Sequence, residues 1–143
     1  VLVIGIGNTL RSDDGVGPYI AQLIEAKGLK GVKVWVTQQL HVEDIDGMLV
    51  FSKIILIDAA VEGVQVSLRR IHSNDTAGRA ASSHHLSAGL CLDMARQIFH
   101  KTLNIELCSI RGSNFEFGDK LSAHVLSCVD QAVELICSSI KQA

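Results

Sequence analysis

The longest apolar stretch in these 143 residues, Ile54–Ile57 extended by Ala59–Val61, is interrupted by Asp58. It falls well short of the ~20 residues that a membrane span requires. Neither sign of charge dominates: 13 Lys+Arg against 15 Asp+Glu leave a formal charge of −2, without clusters. That excludes the basic face on which nucleic-acid binding depends. The four cysteines (Cys91, Cys108, Cys128 and Cys137) form no C-x-x-C pair for zinc or redox chemistry. They read as small buried hydrophobes of a reducing compartment. The opening residues Val1–Ile6 carry no charged n-region and no small-residue cleavage site, so they do not read as a signal peptide. An H-E-x-x-H helix, a G-x-S-x-G elbow and a Cys/His thiol-protease spacing are all missing. So are internal repeats, linkers and low-complexity tracts. With 48% hydrophobic and 20% charged residues, the expectation is a single cytoplasmic globular domain covering 1–143.

What is present alternates between two periods. Val1–Ile6 and Lys53–Asp58 are short, nearly continuous apolar runs, typical of strands covered on both faces, and Val32–Val36 and Asn104–Ile110 read as further strands. Val66–Ile71 alternates and predicts an antiparallel edge strand. Between them, Gly17-Pro18 opens a helical pattern through Ile20, Leu23 and Ile24, with Pro where a missing N–H costs nothing. Val42–Leu49 predicts a short helix, and Leu86–Phe99 a longer one with Leu90, Met94 and Ile98 on one stripe. Ser122 caps a last helix whose apolar face is Val125, Val129, Val133, Ile136 and Ile140. His72–Ser83, rich in Ser, Gly, Ala and Asn, predicts a mobile loop. Strand–helix alternation of this kind predicts an α/β domain of three layers, with a twisted, mostly parallel five-stranded sheet and helices on both faces.

In such sheets ligands sit outside the carboxyl ends of the strands. The first strand leads into Gly5-Ile6-Gly7-Asn8-Thr9-Leu10-Arg11-Ser12-Asp13-Asp14-Gly15-Val16-Gly17, the third ends on Asp58, and Ser82-Ser83-His84-His85 precedes a helix. Two carboxylates and an imidazole at one rim suit a divalent first-row metal. Each part has a plainer reading. Leu10 stands where the dinucleotide fingerprint needs its third glycine, and the Gly-Lys-Ser/Thr ending of a phosphate loop is absent. Asp13 or Asp14 can serve as the N-terminal acid or N-cap of the first helix. A carboxylate at the end of a buried strand is harder to explain structurally, because burial without a partner is costly. His41 follows a strand end and is a weaker candidate. Phe115 and Phe117 read as core.

The pattern Gly5-x-Gly7-Asn8-x-Leu10-x-x-Asp13-Asp14-Gly15-x-Gly17 resembles the signature of the hydrogenase maturation proteases, endopeptidases that trim the C-terminal extension of nickel-iron hydrogenase large subunits. Further similarities follow in order: Gln38-Gln39-Leu40, Ile55-Leu56-Ile57-Asp58-Ala59, Ser82-Ser83-His84 and Phe115-x-Phe117-Gly118-x-x-Leu121-Ser122. They run from about residue 1 to residue 136. The resemblance implies that Asp14, Asp58 and His84 are the catalytic, metal-contacting residues, with Asp14 where some members carry Glu. It implies as substrate a nickel-iron hydrogenase large-subunit precursor, whose own nickel is recognised in place of a resident metal. Residues 38–40 lack the Asp-Gly-Gly-type turn of part of the family, which leaves the hydrogenase class open. Two rival readings are a nickel-binding maturation chaperone and a peptidyl-tRNA hydrolase-like enzyme. The chaperone would call for a His- or Cys-rich tract. The hydrolase would call for Pro-Gly where Thr9-Leu10 stand, and for a basic groove.

Overall fold

The two most apolar segments, β1 (Leu2–Ile6) and β3 (Ile54–Ala60), lie side by side at the centre of a five-stranded sheet. The computed structural model describes residues 1–73 and 86–143. β2 (Lys33–Thr37), β5 (Ile105–Arg111) and β4 (Val66–Arg70) complete the order β2-β1-β3-β5-β4. All neighbours are parallel except β4, which runs antiparallel to β5 at the edge, as its alternating sequence predicts. Alternate residues of the central strands feed two separate cores. Leu2, Ile4, Ile54, Leu56 and Ile105 pack with α2 (Asp44–Met48) and α3 (Ala88–Phe99) on one face. Val3, Ile55, Ile57, Cys108 and Ile110 pack with α1 (Val16–Ala26), α4 (Ala123–Leu126) and α5 (Val129–Lys141) on the other. The expected three-layer α/β architecture is the one the chain adopts.

Three local differences bear on the site. The polar stretch before α1 is partly helical: Ser12–Gly15 forms a 3-10 turn. β3 does not stop at Asp58. Pairing with β1 ends at Gly5 opposite Ile57, but β5 carries β3 on through Asp58–Ser109, Ala59–Ile110 and Ala60–Arg111. The single C-terminal helix expected after Ser122 is two. The Ser127 hydroxyl and the Cys128 thiol both donate to the His124 carbonyl, at 2.5 and 3.3 Å, and the Cys128 N–H turns to Val125. Local side-chain bonds of this type compete with the helical ladder. Ala123–Lys141 is long and apolar enough to cross a membrane by length and composition alone, but Val125, Val129, Ala132 and Ile136 are buried against the sheet as core.

The amino ends of the strands are closed by a buried polar cluster. Lys53, just before β3, places its Nζ 2.6 Å from Glu106 Oε1 and donates to the Ser139 carbonyl at 3.1 Å. The Ser139 hydroxyl reaches both Glu106 oxygens at 2.9 Å. Removing one partner of such a pair strands the other charge away from water, at a cost of about 3–5 kcal/mol. Lys53→Ala should therefore lower unfolding free energy by about that much in urea titrations, while Lys53→Met combined with Glu106→Leu should recover most of the loss.

Candidate functional site

β1 is followed by a helix leading outward to β2, whereas β3 lies on its other side and is followed by elements leading to β5 and β4. The crevice between the carboxyl ends of β1 and β3 is thus the topological switch point, where ligands of such sheets bind. Glycines narrow it. A Cβ on Gly5 would stand 2.5 Å from the Gly17 carbonyl oxygen and 2.7 Å from Ala21 Cβ, and one on Gly17 would strike the carbonyls of Ile57 and Ile6. One on Gly7, whose φ is +149°, would strike the Asp14 carbonyl. The glycines of the first motif therefore serve contact between backbones, and the 3-10 turn carrying Asp13 and Asp14 is drawn against β3.

The two adjacent aspartates have different surroundings. Neither caps a helix with its side chain: the N-cap positions are Arg11 for the 3-10 turn and Gly15 for α1. Asp13 is 0% exposed and faces the closing segment. Its Oδ2 accepts from Ser113 N–H at 2.8 Å, Asn114 N–H at 3.0 Å, Ser122 Oγ at 3.0 Å and Ser113 Oγ at 3.3 Å. Its Oδ1 accepts from Ser122 N–H at 2.7 Å. Burial alone would raise its pKa, but the N–H groups of Ser122, Ser113 and Asn114 and the Ser122 hydroxyl overcome that and hold it below the ordinary value. Asp14, also buried, turns back toward β1, where its Oδ2 accepts from Asn8 N–H at 2.7 Å. The local pattern treats both aspartates as acids before a helix, and although the resemblance singles out Asp14, nothing near Asp13 in the sequence announces its five hydrogen bonds. The distinguishing signal lies a hundred residues away, in Ser113, Asn114 and Ser122.

Asp58 points to the α2/α3 side of the sheet, between the partly buried Ile6 and Ser109, in a rim row that runs on to Thr37 in one direction and Ser67 in the other. The rows beneath it are aliphatic core. Asp58 as a whole is only half-buried, yet its Oδ1 is sealed from solvent and has no hydrogen-bond partner among the described residues. Burial pushes its carboxyl from 3.8 up to about 7, offset only in part by the Ala59 N–H. A carboxylate oxygen left bare at a ligand crevice is what a cation or a proton-bearing group would satisfy. Among the described residues no group of three His, Cys, Asp or Glu side chains could hold a metal ion unaided.

The remaining candidates sort simply. His84 and His85, with most of the expected mobile loop, lie outside the described residues. His41 is exposed and engaged in its own loop, 3.7 Å from Asp44 and 3.2 Å from Gln39 Nε2. Burial pushes the thiols of Cys91 and Cys108 up to about 12, so neither is a thiolate nucleophile at neutral pH. Phe115 packs on the core as expected, but Phe117 does not: it is 85% exposed beside the Arg11 guanidinium, because the tight Arg11–Gly118 pairing turns it outward.

No family model matches the chain, and no curated sequence matches it either. Solved structures do. HybD, a hydrogenase maturating endopeptidase from Escherichia coli, superposes over 99% of this chain and 91% of its own with a TM-score of 0.80 at 19% identity. The fold is that of the hydrogenase maturation endopeptidases. HycI, a [NiFe] hydrogenase maturation protease from Thermococcus kodakarensis, covers 98% of this chain and 91% of its own at TM-score 0.71 and 20% identity. A hydrogenase 2 maturation peptidase from a Thaumarchaeota archaeon covers 97% and 96% at 0.70 and 22%. The motif resemblance and the backbone thus point the same way along nearly the whole chain.

The unfavourable burial of Asp58 has a thermodynamic signature. A carboxyl whose folded pKa is raised adds stability below its unfolded pKa near 4 and loses it as pH rises through about 7. Asp58→Asn should therefore stabilise the free protein at pH 8 by about 2–4 kcal/mol. The gain should shrink to nothing by about pH 4, in denaturant unfolding curves recorded across that range.

Proposed function

We propose that this chain is an endopeptidase that removes the C-terminal extension of a nickel-iron hydrogenase large-subunit precursor once nickel has been inserted. The observation that supports this reading is that Asp14, bound by the Asn8 N–H just past β1, and Asp58, late in the adjoining β3, belong to the two strand ends that flank the switch point. The support around it is the motif resemblance and the fold of proteins named as such endopeptidases. In this reading Asp14, Asp58 and His84 are the catalytic and metal-contacting residues, and the nickel is part of the substrate. Two carboxylates and one imidazole leave coordination positions open, which suits an ion already held by ligands of the precursor. Asp58 Oδ1, without a hydrogen-bond partner among the described residues, gains one when that ion enters, and the scissile peptide is thereby fixed beside the carboxylates. A metal so placed polarises a carbonyl or lowers the pKa of a water, and a carboxylate next to it accepts the proton. The protein works in the cytoplasm, with the precursor as its partner and neither nucleic acid nor a lipid span involved.

Intact-mass analysis of the precursor, with and without nickel, tests the proposal. The expected result is loss of one short C-terminal peptide from the nickel-loaded form only. Cleavage of both forms would retain the peptidase and remove the nickel recognition. No cleavage together with tight nickel uptake by the protein itself would favour the chaperone. Asp14→Asn and His84→Ala should each reduce cleavage at least about a hundredfold; if both variants cleave normally, the residue assignment is wrong.

A further inference from the structure

Asp13 has no place in the chemistry above, yet its carboxylate is the most heavily hydrogen-bonded side chain among the described residues. Five donors reach its two oxygens, and all come from Ser113, Asn114 and Ser122. The same connection is doubled by the backbone: Asp13 N–H donates to the Asn114 carbonyl at 2.9 Å, and Ser12 N–H to the Gly118 carbonyl at 2.8 Å. Ser12 Oγ adds a bond to the Glu116 carbonyl at 2.8 Å, and Ser12 itself takes the left-handed φ of +53° that only a tightly determined turn retains. Gly112 is bare where it meets this carboxylate's stem: a Cβ there would stand 2.8 Å from Asp13 Cβ.

Asp14, the next residue in the same 3-10 turn, is held from the opposite side. Gly7 presses on its carbonyl, and Asn8 N–H binds its carboxylate. The turn is therefore gripped between β1 and the segment from Gly112 to Ser122, with Asp13 supplying most of the side-chain grip on the second side and Ser12 Oγ one further bond. We infer that Asp13 is a positioning residue: its carboxylate, through five bonds to the closing segment, fixes the orientation of Asp14 toward the crevice. This rests on the function proposed above only for what Asp14 then does. The geometric part stands on this chain alone.

Asp13→Asn is the direct variant. It keeps the shape, but its amide NH2 must face either the Ser122 N–H or the donors gathered on Oδ2. Lys53→Ala, at the opposite end of the strands, serves as a destabilised control. Both are measured at low temperature, with folding checked by circular dichroism. For nickel-loaded precursor, Asp13→Asn should lower kcat about tenfold or more with KM within about threefold, while Lys53→Ala keeps kcat within about twofold. Hydrogen exchange of the Asn8 N–H in the isolated protein gives a reading independent of activity. Its protection should fall about tenfold or more in Asp13→Asn and not in Lys53→Ala once global stability is allowed for. If Asp13→Asn leaves both kcat and Asn8 protection unchanged, or if the two variants lose both equally, the inference is overturned. If the unaltered protein cleaves no precursor, the proposed function fails, and the Asn8 exchange still decides the role of Asp13. Should Asp13→Asn not fold, Ser122→Ala keeps the carboxylate, removes one hydroxyl donor, and is read by the same two measurements, with smaller losses in the same direction.

Discussion

Everything at the crevice depends on how closely one helix backbone approaches two strand ends. Gly5 and Gly17 face each other across that contact, and Gly17 also meets the carbonyls of Ile6 and Ile57. No residue with a side chain fits there without moving α1 off the sheet. Because α1 follows the 3-10 turn directly, its height above β1 and β3 sets where Asp13 and Asp14 lie. A glycine in a helix costs about 1 kcal/mol relative to alanine, and here the exchange is a fixed distance between the first loop and Asp58. The same glycines that suggest a nucleotide loop in the sequence are those at which an added Cβ would strike neighbouring backbone. Their role is contact between backbones.

The two ends of the sheet resolve their buried charges in opposite ways. At the amino end, Lys53, Glu106 and Ser139 satisfy one another within hydrogen-bond distance. At the carboxyl end, Asp58 keeps an oxygen sealed and unpartnered among the described residues, and its carboxyl titrates well above its ordinary range. A fold that can neutralise buried charge so fully at one end has no packing reason to leave it bare at the other.

The sheet was legible because its cause is local. Val3, Ile4, Ile55 and Ile57 are apolar on both faces, and only a strand covered by two layers of helix buries both. The edge position of β4 was equally plain from its alternation. Less legible was whatever depends on pairing partners. Asp58 looked like the last residue of its strand, but Ser109, Ile110 and Arg111 extend the ladder beyond it on one side only. The break between α4 and α5 turns on a hydroxyl and a thiol reaching one carbonyl, in a segment whose apolar period continues undisturbed. Phe117 sits outside because Arg11 and Gly118 are bridged, a contact across more than a hundred residues.

The same limit explains the aspartate pair. In a 3-10 turn successive side chains diverge by about 120° around the axis, so neighbours in sequence need not share surroundings. Asp13 is directed into a nest of N–H groups supplied by a distant segment, and Asp14 toward β1 and the crevice. Either residue alone satisfies the local pattern of an acid before a helix. Separating them takes knowledge of which one the closing segment reaches, and that follows from the length of chain between Ile110 and Ser122. Sliding the turn by one residue would either give Asp14 to the five donors of the closing segment and leave Gly15 beside Asn8, or leave those donors facing Ser12. The register of this one turn is therefore as much a part of the site as the identity of its side chains.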